Sequence, residues 1–355
     1  LAAINYESLI ELVKIVVITA RTGLWAGPTI WIRLRSMNVL IYGGGAVGLG
    51  IASCLLKSGV DVDILARRET VILLKQHGLL RDGIFGEYNV LPEKYYTYEH
   101  ISAIEHRKYH YICICIKSFD SESAAYDIAQ HREILDTDGR IVLFQNGWGN
   151  TEKFLKHFNR DYIYNARVIT GFKRQEPNRV TITVHADAIH IGHLFCQEHL
   201  RYIEPLVTAI NDGDIPCYAV DCIAKDLWAK MLYNCPLNSL GAIFGVPYGK
   251  LGDYGETRVI MNMIIGEVFQ VMRAEGYCTH WDSPEGFIET FYTKLIPLTK
   301  EHESSTLQDI NAGKRTEIDA LNGAVVLLGK KHRIAVPANT MVYNMVKYIA
   351  AINQK

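Results

Sequence analysis

No stretch of this 355-residue chain is apolar for the length that a membrane helix needs, which argues against a spanning segment. Neither sign of charge is in excess. The 37 Lys and Arg stand against 38 Asp and Glu, a formal net charge of -1, and no acidic or basic tail is present. Such a balance gives no reason to expect nucleic acid as a partner. The 8 cysteines form no CxxC pair and show no zinc-like spacing; several sit in apolar runs, where a thiol behaves as a small hydrophobe. A reducing cytoplasm is the economical setting for them. Internal repeats and low-complexity tracts are missing as well. What is present is ordinary globular composition, 49% hydrophobic and 21% charged, with enough chain for two cores.

Residues 1–36 look foreign to the rest of the chain. Glu11, Lys14 and Arg21 interrupt their apolar run, and they lack the basic start and small-residue cleavage site of a signal peptide. They read as an appendage outside the fold, with an amphipathic anchor as the less favoured reading. From Met37 the pattern becomes strand, glycine turn, helix, strand. Asn38–Tyr42 is a short β run, Gly43-Gly44-Gly45-Ala46-Val47-Gly48 comes next, then an apolar helix to about Gly59, then a second strand over 60–66. A GxGxxG alone is weak, but here Gly43, Gly45 and Gly48 fall between strand and helix of a βαβ unit. The first glycine permits the turn, the second lets backbone approach a pyrophosphate, and the third lets helix pack on strand. Ala46 and Val47 then open the helix whose N-terminus faces the phosphates.

The end of the second strand chooses the cofactor. A carboxylate there suits the ribose hydroxyl of NAD, and a cation suits the 2′-phosphate of NADP. The chain offers Ala66-Arg67-Arg68, with Asp63 too early in the strand, so Arg67 is the expected phosphate contact and Arg68 its reserve. Residues 109–116 read as a buried strand ending at Lys117, and 140–144 as another ending at Gln145-Asn146-Gly147. Residues at such strand ends line the ligand crevice, so Lys117 approaches cofactor or substrate or is a surface lysine, and Asn146 meets a substrate or closes a structural Asx turn. Between 163 and 195 the β runs look antiparallel and appended to the parallel sheet. His185, His190 and His193 fall among them, but strand alternation does not bring three rings together, so no metal site is expected.

After Pro216 the texture is helical. Lys230, Asn234 and Asn238 recur every fourth residue and form one polar stripe among Leu227, Trp228, Met231, Leu232 and Leu237. An exposed stripe kinked at Pro236 is one reading. The other is a set of desolvated groups that need partners, which a bound polar ligand supplies. Further helices are expected from about 257 to 275, from 287 to 299, and from 337 to about 349. Ser305 with Gln308 fits a capping box, and that helix is expected to continue past a bend at Gly313 through 316–323. The expected architecture is an α/β Rossmann-type dinucleotide-binding domain (37–220) followed by an all-α C-terminal domain (221–355), with the site in the cleft between them.

This motif set resembles the ketopantoate reductase (2-dehydropantoate 2-reductase) family from Met37 to about Lys347. The likeness rests on GGGAVG at 43–48, Arg67, Lys117, QNG at 145–147, AKMLYNCPLN at 229–238, SSTLQDI at 304–310 and TEIDALNG at 316–323. The glycine motif is shared by many dehydrogenases; the lysine–asparagine stripe and the two C-terminal motifs are more particular. The resemblance implies an NADPH-dependent oxidoreductase of pantothenate synthesis acting on a small 2-keto acid. It makes Lys230 the general acid, Glu317 its carboxylate companion, and Asn234, Asn238 and Ser305 substrate contacts, with Asn146 beside nicotinamide and substrate. Lys117 would serve the cofactor. No nucleic acid or membrane enters this picture; a homodimer is the assembly considered. Where family members often carry Val-Pro-Asn-Gly-Glu, this chain has Val246-Pro247-Tyr248-Gly249-Lys250. Tyr248 is therefore a substrate contact from farther away or a residue that narrows the pocket for another 2-keto acid. A non-catalytic NADP-binding sensor is the reading from a different class, and it has no need of a proton donor.

Overall fold

Alternation along the first strand divides the molecule's apolar residues between two faces. Val39 and Ile41 belong to one core cluster and Leu40 to another, because successive side chains of a strand point oppositely. That strand lies inside an eight-stranded sheet. In a computed structural model, which describes residues 37–195 and 200–353, the strands are β1 (Asn38–Tyr42), β2 (Asp61–Leu65), β3 (Leu79–Gly83), β4 (Tyr88–Val90), β5 (Tyr96–Tyr98) and β6 (Tyr109–Ile114), then β7 (Leu135–Leu143), β8 (Ile163–Arg167), β9 (Thr170–Glu176), β10 (Arg179–His185), β11 (Ile189–His193) and β12 (Cys217–Val220). The expected appendage at 1–36 lies outside the described residues. The large sheet runs β12-β11-β8-β7-β6-β1-β2-β5, parallel from β5 to β8. Chain order reverses between β1 and β6, and ligands of such sheets bind at that switch point, off the carboxyl ends of the strands.

The 163–195 region departs from expectation. β8 is parallel to β7, and only β11 joins the large sheet antiparallel, against β8. β9 and β10 leave it to form a second sheet, β4-β3-β10-β9, in which β10 runs parallel to β3. The single-strand pattern could not show which partner each run would choose. Helices α1 (Ala46–Lys57), α2 (Arg68–His77), α3 (Ser121–Gln130), α4 (Asn150–Leu155) and α5 (Glu204–Asp212) accompany the strands.

The third core cluster is helical and surrounds α6 (Ile223–Phe244), whose buried residues lie on almost every side. A helix apolar all round is one enclosed by others. It passes through Pro236 without ending, and the Cys235 carbonyl accepts from Ser239 Oγ and Asn322 Nδ2. Around it stand α7 (Tyr248–Gly252), α8 (Gly255–Ala274), α9 (Pro284–Thr290), a π turn (Phe291–Leu295), α10 (Ile296–Leu298), α11 (Ser305–Asn311), α12 (Asn322–His332) and α13 (Pro337–Asn353). The expected continuation through 316–323 does not occur. α11 stops at Asn311, Gly313 adopts φ +63°, and a separate 3-10 turn at Ile318–Ala320 leads into α12.

The capping box is also displaced by one residue. Ser304, not Ser305, is the N-cap, its Oγ accepting from Leu307 N at 3.0 Å. Gln308 then stands one place beyond the position a capping box needs, and its side chain donates to the Glu303 carbonyl instead. Among the described residues six cysteines are free thiols, and Cys222 is disulfide-bonded.

Candidate active site

The glycine turn is built by close approach. Gly43 sits at φ +121°, where a Cβ would meet the Cys115 backbone at 2.9 Å, and a Cβ on Gly48 would fall 1.9 Å from the Gly43 carbonyl oxygen. Gly45, the N-cap of α1, has nothing nearer than 3.8 Å on its Cβ side, and Ala46 and Val47 are only partly covered. No side chain caps α1 and no acidic residue stands in its first turn, so its amides are left for an anion. The cradle fits the pyrophosphate of a dinucleotide. Arg67 follows the end of β2 as the exposed N-cap of α2. Asp63 is fully buried, accepts from Tyr109 Oη at 2.6 Å and pairs with Arg107 at 2.7 Å. It is committed inside the sheet.

Across the crevice, the loop after β7 reaches the helical half. Gly147 takes φ +84° where a Cβ would lie 2.3 Å from the Ala320 carbonyl oxygen, and Trp148 N donates to that same oxygen at 2.8 Å. The Trp148 ring packs on Trp228 of α6 with centroids 4.4 Å apart. This docking delivers Asn146 to Lys230. Lys230 Nζ donates to Asn146 Oδ1 at 2.5 Å and to the Val168 carbonyl at 2.6 Å. Gln145 and Asn234 line the same small recess, with Leu227 and Met231 as its apolar wall. Burial, helped by the Arg167 charge and opposed by Glu317, brings the lysine down to about 8.

Two family-model matches cover this architecture: ketopantoate reductase PanE/ApbA over residues 39–194, and the C-terminal region of the same family over 222–350. The 2-dehydropantoate 2-reductase of Aquifex aeolicus is 34% identical over 319 residues, covering 90% of this chain and 99% of that protein. The chain belongs to the ketopantoate reductase family. A PanE/ApbA ketopantoate reductase from Ralstonia eutropha JMP134 superposes with a TM-score of 0.77 at 28% identity, covering 90% of this chain and all of that one. D-Mandelate dehydrogenase, solved with NADH and anilino(oxo)acetate, shares the fold at a TM-score of 0.79, with 22% identity over 89% of this chain and 99% of that one.

Against the arrangement that the resemblance implies, two residues of this ketopantoate reductase have other partners. Glu317 does not bond to Lys230. Its carboxylate accepts from Ser118 N at 2.8 Å and from Lys117 Nζ at 3.1 Å, and reaches Lys230 only through its charge. Lys117 also holds Asp309 at 2.8 Å, so it spans from the end of β6 to the helical half. Tyr248 is buried, and its Oη donates to Asn238 Oδ1 at 2.6 Å. It therefore acts on Asn238 and offers no hydroxyl to the recess. Ser305 is exposed in the first turn of α11, and Asn234 and Asn238 are both buried.

The strand histidines each found a separate partner: His185 Nδ1 lies 3.0 Å from Thr170 Oγ1, His193 Nε2 lies 2.9 Å from the Arg160 carbonyl, and His190 joins Asp226. Sequence reasoning missed this last group. Asp226, one turn before Lys230, is 2.9 Å from His190 Nδ1 and 2.7 Å from His280 Nε2, with Arg167 Nη2 2.7 Å from His190. Burial pushes the Asp226 carboxyl up, and its bonds to the two histidines more than reverse this. The four-residue spacing of Asp226 from Lys230 was the available signal; the histidine partners had none. The Val168 carbonyl is backbone and leaves no trace in sequence.

Proposed function

We propose that this chain reduces 2-dehydropantoate to pantoate with NADPH, a step of pantothenate biosynthesis, with Lys230 as the general acid. The observation that carries the mechanism is the pair of bonds on Lys230. An ammonium has three N–H groups; Asn146 Oδ1 and the Val168 carbonyl occupy two and aim the group, leaving one for a substrate oxygen. NADPH, when bound on the glycine turn, supplies the hydride to C2. Negative charge then builds on the ketone oxygen, and Lys230 stabilises and protonates it. Glu317 and Lys117 close the crevice from the two sides, and Asn234, Asn238 and Ser305 serve the substrate's hydroxyl and carboxylate. Tyr248 takes one acceptor of Asn238 and so leaves its amide N–H groups for the ligand.

Lys230→Ala is expected to lower turnover by roughly 10²–10⁴-fold with NADPH binding intact. Near-normal turnover would remove this residue from the chemistry. A second reading, reduction of another small 2-keto acid, is favoured by the buried Tyr248 ring beside Asn238. A panel of 2-keto acids followed by NADPH absorbance separates the two. The helical half and the α/β half correspond in this reading to substrate and cofactor domains meeting near residue 220. The biosynthetic role also fits a cytoplasmic enzyme, and no helix among the described residues is long and apolar enough to cross a membrane. A homodimer is the assembly to test by sedimentation equilibrium; a monomer at micromolar concentration would dismiss it.

A further inference from the structure

β9 belongs to the second sheet but lies over the glycine-turn helix. The Phe172 ring fills the space beside Gly50 of α1, where a Cβ would meet it at 2.3 Å. Two residues on, Arg174 Nη2 donates to Thr70 Oγ1 at 2.8 Å. Thr70 is buried in the first turn of α2, and its methyl group lies 2.9 Å from where a Cβ on Gly44 would stand. Thr70 thus touches the glycine turn with one branch and holds a guanidinium with the other, on the helix that Arg67 caps.

We propose that Arg174 is the second arm of the 2′-phosphate clamp begun by Arg67, and that it sets this enzyme's preference for NADPH over NADH. A guanidinium carries five N–H donors and Thr70 uses one of Arg174's, leaving a planar fork suited to phosphate. Among the described residues neither Arg67 nor Arg174 forms an ion pair with a carboxylate. Arg174 is exposed; partial desolvation lowers its pKa, the Glu69 carboxylate opposes this, and the Arg67 charge adds to the lowering. Two guanidinium groups on neighbouring elements, neither neutralised by a direct ion pair among the described residues, suit an anion placed where both can reach. The phosphate on the adenosine ribose comes to this strand end in an NADP site. NADH brings a hydroxyl there, which has no use for a second cation.

The inference rests on the NADPH reading above, and the tests are chosen to fail separately. Steady-state constants for NADPH and NADH, and calorimetric binding of 2′,5′-ADP and 5′-ADP, are measured on the wild-type enzyme, Arg174→Gln and Arg174→Lys. Arg174→Gln is expected to weaken 2′,5′-ADP and raise the NADPH KM by about 10- to 100-fold, the worth of a charge-assisted contact. Its kcat, its NADH KM and its 5′-ADP affinity should stay as in the wild type, and Arg174→Lys should fall between. Equal loss for both nucleotides would make Arg174 a structural residue and overturn the proposal, as would no loss for either. If Arg174→Gln does not fold, Thr70→Val frees the guanidinium and should weaken 2′,5′-ADP alone; unchanged binding overturns the proposal. A wild-type enzyme that uses NADH as well as NADPH would sink the cofactor reading itself, and Arg174 with it.

Discussion

At the scale of single residues, the decisive quantity is the proton on Lys230. Its pKa stands near 8 against an ordinary 10.5, chiefly because burial penalises the ammonium. In the proposed mechanism the acid form of Lys230 is required, so kcat/KM should be level below this value and fall as pH rises through about 8. Asn146→Asp would place a carboxylate where the amide oxygen now accepts from the lysine. It should shift the falling limb to higher pH, and a pH–rate profile with an unmoved limb would show that another group controls it. The same pKa shift has a stability counterpart. Between about 8 and 10.5 the folded protein binds fewer protons at this site than the unfolded chain, so the lysine's contribution to stability rises with pH across that window.

At the scale of elements, the two serines opening α11 separate the helix cap from the proposed substrate contact, which sequence reading had merged. Ser304 satisfies the amide of Leu307 from a buried position, while Ser305 stands exposed one residue later. Ser304→Ala should therefore cost about 1 kcal/mol of stability, the usual worth of an N-cap, read by denaturant titration. Ser305→Ala should leave stability nearly unchanged and raise the substrate KM. The reverse pattern would restore Ser305 as the cap. The stripe on α6 was legible because its chemistry repeats with the helix period. The starting point of α11 was not, because two adjacent serines satisfy the same pattern and only the neighbouring amide distinguishes them. For a similar reason β9 and β10 read as part of one sheet: alternation reveals a strand, whereas its partner depends on hydrogen bonds to chain far away in sequence.

At the scale of the whole molecule, Lys117 ties the α/β half to the helical half through Asp309 and Glu317. Burial depresses the lysine's charge, but the two carboxylates outweigh it and raise its pKa; burial also raises Asp309, against the pull of Lys117. Lys117→Met would leave two carboxylates facing each other across the closed crevice. The expected stability loss is about 1 kcal/mol, because the lysine is partly exposed and screened. Amide exchange should accelerate at Ser118 and across 313–321, and unaltered protection there would show that the crevice is held shut elsewhere, for instance by the Gly147–Ala320 contact.

Sequence alone determined the features whose physics is local. The glycines answer to backbone geometry within one turn, and the lysine and asparagines to the pitch of one helix. These were enough to point to a dinucleotide-binding fold and to the lysine proposed above as proton donor. Tertiary structure decided what each charged group faces. Glu317 turned to Lys117, Tyr248 turned to Asn238, and Asp226 collected two histidines from other elements. Arg174 came to Thr70 only because β9 left the main sheet to lie over α1. Electrostatic partnership depends on distance in space, and chain packing sets that distance with no periodic signature for a reader of the sequence to follow.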